Sequence, residues 1–103
     1  MSEFEKRLAC VIMGDGSIAR GYLIDSCKLN GVSEYIITWK IPLQGEAKTN
    51  FAGTIGSAMD EKVEPGFITV RLTKDPKEMK VNTYDVTGKP APRPFHIAAF
   101  RDQ

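Results

Sequence analysis

His96 is the chain's one histidine, and it sits in "YDVTGKPAPRPFHIAAF", residues 84–100, with half of the six prolines and three of the nine aromatic residues. Imidazole suits general acid–base work near neutral pH. That work also needs a carboxylate to orient the ring and a nucleophile within hydrogen-bond reach, and Asp85 and Asp102 are the carboxylates that would have to approach it. No motif ties these residues together. In an extended segment Phe95, Ile97 and Ala99 share one face while His96, Ala98 and Phe100 share the other. The pattern therefore places His96 on a strand, half exposed on a sheet face or at a subunit contact, and assigns no catalytic residue.

Other stretches suggest chemistry and fall short of it. "GDGS" at 14–17 lacks the Lys-Ser/Thr pair of a phosphate-binding loop and the three spaced glycines of a dinucleotide loop, so it reads as a hairpin turn. Asp15 and Asp25 do not make the closely spaced oxygen series of a calcium loop, and Asp60-Glu61 is an isolated acidic pair. Cys10 and Cys27 are too few for a structural zinc site. With Cys10 falling opposite Gly21 across the "GDGS" hairpin, Cys27 is expected out of reach, which leaves two free, mostly buried thiols. No metal and no cofactor is implied.

"RPFHIAAFR" and "KDPKEMK" set basic residues beside aromatics, as single-strand-binding surfaces do. Asp75 and Glu78 interrupt the second stretch, and 14 basic against 13 acidic residues leave a net charge of +1. That balance argues against a nucleic-acid partner. Trp39 keeps the company of Tyr35, Ile37 and Ile41 at alternate positions, so it belongs to the core and not to a sugar-binding platform. Tyr22 and Tyr84 are the better candidates for exposed rings. With Arg93 and His96 they form the candidate binding surface.

The elements that must position these residues are strands. At 103 residues, with 42% hydrophobic and 26% charged composition, the chain is long enough for one core and is read as one domain over residues 1–103, with a short charged leader, Met1 to Lys6. Arg7 to Met13, Ile18 to Lys28, Tyr35 to Ile41, Lys48 to Ile55, Phe67 to Thr73, Met79 to Val86 and Pro94 to Phe100 read as short strands. Asn30-Gly31 marks a hairpin, Glu64-Pro65-Gly66 a type II turn with positive φ at the glycine, and Asp85 to Gly88 a turn with aspartate first and glycine last. No window supports a long helix, so the fold class is all-β: short strands with frequent turns fit an antiparallel sandwich or a small barrel, and a single antiparallel β-sandwich of about seven strands is the expectation. No apolar segment serves as a signal peptide or a membrane span, which predicts a product that is cytoplasmic when made.

In order, "DGSIARGYLIDSCKLNGVSEYIITWKIPL", "TNFAGTIGSA", "GFITVRL" and "MKVNTYDVTGKPAPRPFHIAAF" resemble the small β-sandwich domains near the C-termini of phage tail fibres and of collagen-like phage and bacterial proteins. The match spans roughly Ala9 to Phe100 and consists of hydrophobic and turn positions. One departure is the hairpin at Asn30 to Tyr35, where glycine and tyrosine are separated by three residues. Another is the leader, which stands where those proteins have a fibre stem, so this copy is expected to act alone or to attach noncovalently. The resemblance implies a noncatalytic structural or binding module that assembles as a homo-oligomer, with a trimer favoured. It further implies recognition of a host surface or carbohydrate and a place on a virion. A small enzyme with a site near His96 and a nucleic-acid-binding β-barrel are the alternatives.

Overall fold

The computed structural model describes residues 7–43 and 48–102. Over them the alternating stretches become eight strands: β1 (Arg7–Ile12), β2 (Ile18–Tyr22), β3 (Ile24–Asn30), β4 (Glu34–Trp39), β5 (Lys48–Ile55), β6 (Phe67–Leu72), β7 (Glu78–Tyr84) and β8 (Phe95–Asp102). They pair antiparallel into two four-stranded sheets, β2-β1-β8-β5 and β3-β4-β7-β6, packed face to face as an all-β sandwich. The expected leader and the middle of the loop after Pro42 lie outside the described residues. No helix is long and apolar enough to cross a membrane among the described residues.

The sequence reading expects about seven strands, and the eighth arises from a break in Ile18 to Lys28. Leu23 takes φ 68°, the left-handed region that side chains with a Cβ avoid. Its side chain is buried in the core and its carbonyl accepts the Lys40 N–H at 2.7 Å, which offsets the strain. The break carries one run of chain from the first sheet to the second and so closes one side of the sandwich. Gly21 permits that bend: a Cβ there would lie 2.2 Å from Ile24 Cγ2.

Between the sheets lies one core. The face foreseen on β4 is there, with Tyr35, Ile37 and Trp39 fully buried against Met79 and Val81 of β7 and Leu8, Ile12, Phe95 and Ile97 of the facing sheet. The Tyr35 ring meets Phe95 edge-on, centroids 4.9 Å apart, and its hydroxyl donates to the Gly14 carbonyl at 2.8 Å. Thus the "GDGS" turn is anchored to β4 by a buried phenol.

Two turns show how local chemistry and close packing differ. At Asp85 to Gly88 the expected turn forms, with the Gly88 N–H donating to the Asp85 carbonyl and Gly88 at φ 88°. Gly66 does not take the positive φ that the expected type II turn requires. It is instead a close-approach residue, since a Cβ there would come within 2.2 Å of the Tyr84 carbonyl oxygen.

Candidate functional site

The outer face of the β2-β1-β8-β5 sheet carries a groove built by register. Ala9 of β1 is paired with Tyr22 of β2 on one side and Ala98 of β8 on the other, and Ala98 is paired with Ala52 of β5. One cross-strand row therefore reads Tyr22, Ala9, Ala98, Ala52. The next row reads Arg20, Val11, His96, Thr54, again directly opposed. At the ordinary spacing of strands, three alanines make a floor roughly 10 Å wide, bounded by side chains several atoms taller. The result is an open cavity of about 510 Å³ lined by these eight residues and by the intervening backbone. That volume suits a small ligand.

Sheet alternation explains why these side chains point outward. Leu8, Cys10 and Ile12 of β1 and Phe95, Ile97 and Ala99 of β8 turn into the core, which leaves Ala9, Val11, His96 and Ala98 on the far face. Tyr22 is 49% exposed at one end of the floor. Val11, by contrast, is 8% exposed although it faces outward, as befits a short side chain between Arg20 and His96.

The groove is chemically uneven. Its floor is apolar, its rim holds a phenol, a guanidinium, an imidazole and a hydroxyl, and no carboxylate among the described residues lines it. His96 Nε2 lies 3.4 Å from the Ser57 carbonyl oxygen, so a proton on that nitrogen would be donated to the loop after β5. Gly56 packs on the same ring, where a Cβ would sit 3.2 Å from Cδ2. The imidazole is thus held by a loop backbone.

Of the two acidic residues considered for a catalytic partnership with His96, Asp85 is engaged elsewhere and the Asp102 backbone is distant. Asp85 is turned onto its own loop, accepting from Thr87 N–H and Lys89 N–H at 2.9 and 3.1 Å and from the Thr87 hydroxyl at 2.6 Å, which holds its carboxyl below the usual range. Asp102 lies at the far end of β8 from His96, six residues along an extended strand, roughly 20 Å away.

Of the four residues singled out from the sequence, Tyr22 and His96 meet in the groove and the other two do not. Tyr84 closes β7 in the opposite sheet. The Arg93 side chain is 13% exposed, with Nε donating to the Pro65 carbonyl at 3.2 Å, Nη1 to the Pro92 carbonyl at 2.9 Å, and Nη2 3.6 Å from Glu64. Arg93 clamps two loops together. Arg20, Thr54 and the alanine floor escape sequence reasoning because alanine at an exposed strand position carries no motif. Only the pairing of four strands brings these residues together.

Cys10 borders the groove through its backbone, and its thiol points into the core. Both cysteines are free. They stay unbonded as expected, although β3 returns on the facing sheet and places Cys27 against the same core, near enough for the two thiols to interact electrostatically. Burial, and then the Cys27 charge, push the Cys10 thiol up to about 12, while burial pushes Cys27 to about 11. Among the described residues no group of three or more His, Cys, Asp or Glu gathers to hold a metal.

The other outer face is a charged, solvated surface. Lys28, Ile36, Lys80 and Arg71 stand in one row, and Arg71 lies 3.6 Å from Glu34. Compared with known protein families, curated proteins and solved structures, the chain shows no significant match.

Proposed function

We propose that this chain is a noncatalytic binding module that recognises carbohydrate through the alanine-floored groove. The observation that carries the reading is the paired row Tyr22, Ala9, Ala98, Ala52 beside Arg20, Val11, His96, Thr54. A pyranose ring has one flat, CH-rich face and a circumference of hydroxyls. The alanines accept the flat face at close range, Tyr22 offers a ring edge or face, and Arg20, His96 and Thr54 supply hydrogen-bond groups around it. The sequence resemblance to C-terminal tail-fibre domains supports the same reading, with a host-surface glycan as the natural target and a virion as the natural setting.

Assembly between copies belongs to this proposal. On the side away from the Leu23 bend, β5 and β6 are, among the described residues, the unpaired edges of their sheets, and Phe67 at the start of β6 is exposed. Unpaired strand edges with an apolar residue favour association, and a homotrimer is the form expected from the resemblance.

The test is a glycan array probed with the purified chain and with Ala98→Leu. Binding by the native chain that is lost in the folded variant is the expected result. Binding retained in the variant would show that the groove is not the site.

A further inference from the structure

We infer that the sugar taken by this groove carries one negative charge, a carboxylate or a sulfate ester, and that Arg20 is the residue that reads it. The inference rests on the carbohydrate reading above and specifies its ligand class. Among the described residues Arg20 is the one permanent charge lining the cavity, and no Asp or Glu faces it there. Two other guanidinium groups already have acidic partners, Arg71 with Glu34 and Arg93 with Glu64, each at 3.6 Å. Arg20 has none among the described residues. A planar guanidinium fork presents paired donors that match two oxygens of a carboxylate or a sulfate.

Position supports the assignment. Arg20 and Tyr22 alternate on the outer face of β2, roughly 7 Å apart, about the width of one sugar ring. A ring seated on Ala9 against Tyr22 therefore has its substituents beside Arg20 in the adjacent row. His96 and Thr54 lie further along that row, where they meet hydroxyl or amide groups. A ligand without charge would cover the guanidinium and leave it unpaired, which costs binding free energy. Charge also argues against a second copy of the chain on this face, because a symmetric face-to-face contact would bring Arg20 toward its own image.

The test is isothermal titration of four probes: a sialic-acid-terminated trisaccharide, its methyl ester, a monosulfated disaccharide and its unsulfated parent. Each is titrated into the native chain, Arg20→Gln, Arg20→Lys and Ala98→Leu. Circular dichroism verifies the fold, and sedimentation equilibrium gives the mass of each protein. At least one charged probe is expected to bind about tenfold or more tighter than its neutral counterpart. Arg20→Gln should remove that preference, Arg20→Lys should keep part of it, and Ala98→Leu should abolish binding of all four probes. The better of the two charged probes identifies carboxylate or sulfate.

Equal binding of charged and neutral probes, abolished by Ala98→Leu, would overturn the charge assignment and leave the carbohydrate groove standing. Absence of binding by all four probes, or binding unaffected by Ala98→Leu, would overturn both. A change of mass in Ala98→Leu without sugar binding would make the groove an interface between copies, and would also overturn both.

Discussion

Ala98 of β8 stands directly opposite Ala9 of β1, and on its other side opposite Ala52 of β5, so three of the smallest side chains meet in one row on the outside of the sheet. An outward alanine contributes little to folding, and a larger residue there has open space to enter. Ala98→Leu should therefore change stability by no more than about 1 kcal/mol while removing carbohydrate binding. Thermal unfolding and the glycan array measure the two effects separately. A large loss of stability would mean that the row is packed in the functional state and does not wait for a ligand.

Gly21 and Ile24 bracket the bend that closes the sandwich. A Cβ at 21 would press on Ile24 Cγ2 at 2.2 Å, so Gly21→Ala should destabilise the chain by about 1–3 kcal/mol. Adding Ile24→Ala removes the methyl that is struck, and the double mutant should then cost less than the sum of the single changes. Urea denaturation of the four proteins gives the coupling, and strict additivity would contradict the contact.

Cys10 and Cys27 give the fold an alkaline weakness. Both thiols have folded values raised above the ordinary 9, to about 12 and about 11, so the folded state holds their protons more tightly than the unfolded chain does. Their contribution is fully present below about pH 9 and is lost as the pH climbs from there through 11 and 12. The unfolding midpoint should fall over that window, and less steeply in Cys10→Ala. At pH 8 the native chain should react with a disulfide reagent far more slowly than free cysteine, whereas the unfolded chain should release two thiols. Two rapidly reacting thiols in the native chain would refute the burial of Cys10.

Trp39 is fully buried, and its indole Nε1 has no hydrogen-bond partner among the described residues. Trp39→Phe gives up ring volume but also removes the unsatisfied N–H, so it should cost clearly less than Trp39→Ala, for which about 3–5 kcal/mol is expected. As the chain's one tryptophan, it reports on this directly: emission should be blue-shifted in the native state and move to the red on unfolding.

Much of this architecture is legible in the sequence, because alternation is a local signal. Tyr35, Ile37 and Trp39 declare a buried face by spacing alone, and Asp85 with Gly88 declares a turn by chemistry. The break at Leu23 is not legible, since a leucine at positive φ is chosen by the packing of its side chain and not by its neighbours in sequence. Gly66 misleads in the opposite way: it looks like a turn glycine and is one that a neighbouring carbonyl approaches. The two cysteines stay unpaired as the hairpin register implies, and that both border one core is visible only once the second sheet is in place. For the site, Tyr22 and His96 stand out by residue type, whereas Arg20 and the alanines acquire meaning only when β2, β1, β8 and β5 are aligned.

The most direct test of the groove as a sugar site is a ¹⁵N–¹H NMR titration of the chain with the sialic-acid-terminated trisaccharide and the monosulfated disaccharide. With at least one of them, saturable shifts are predicted at Ala9, Arg20, Tyr22, Ala52, Thr54, His96 and Ala98, with β4 and β7 unmoved. Shifts centred on Tyr84 and Arg93, or no saturable shift with either sugar, would contradict it.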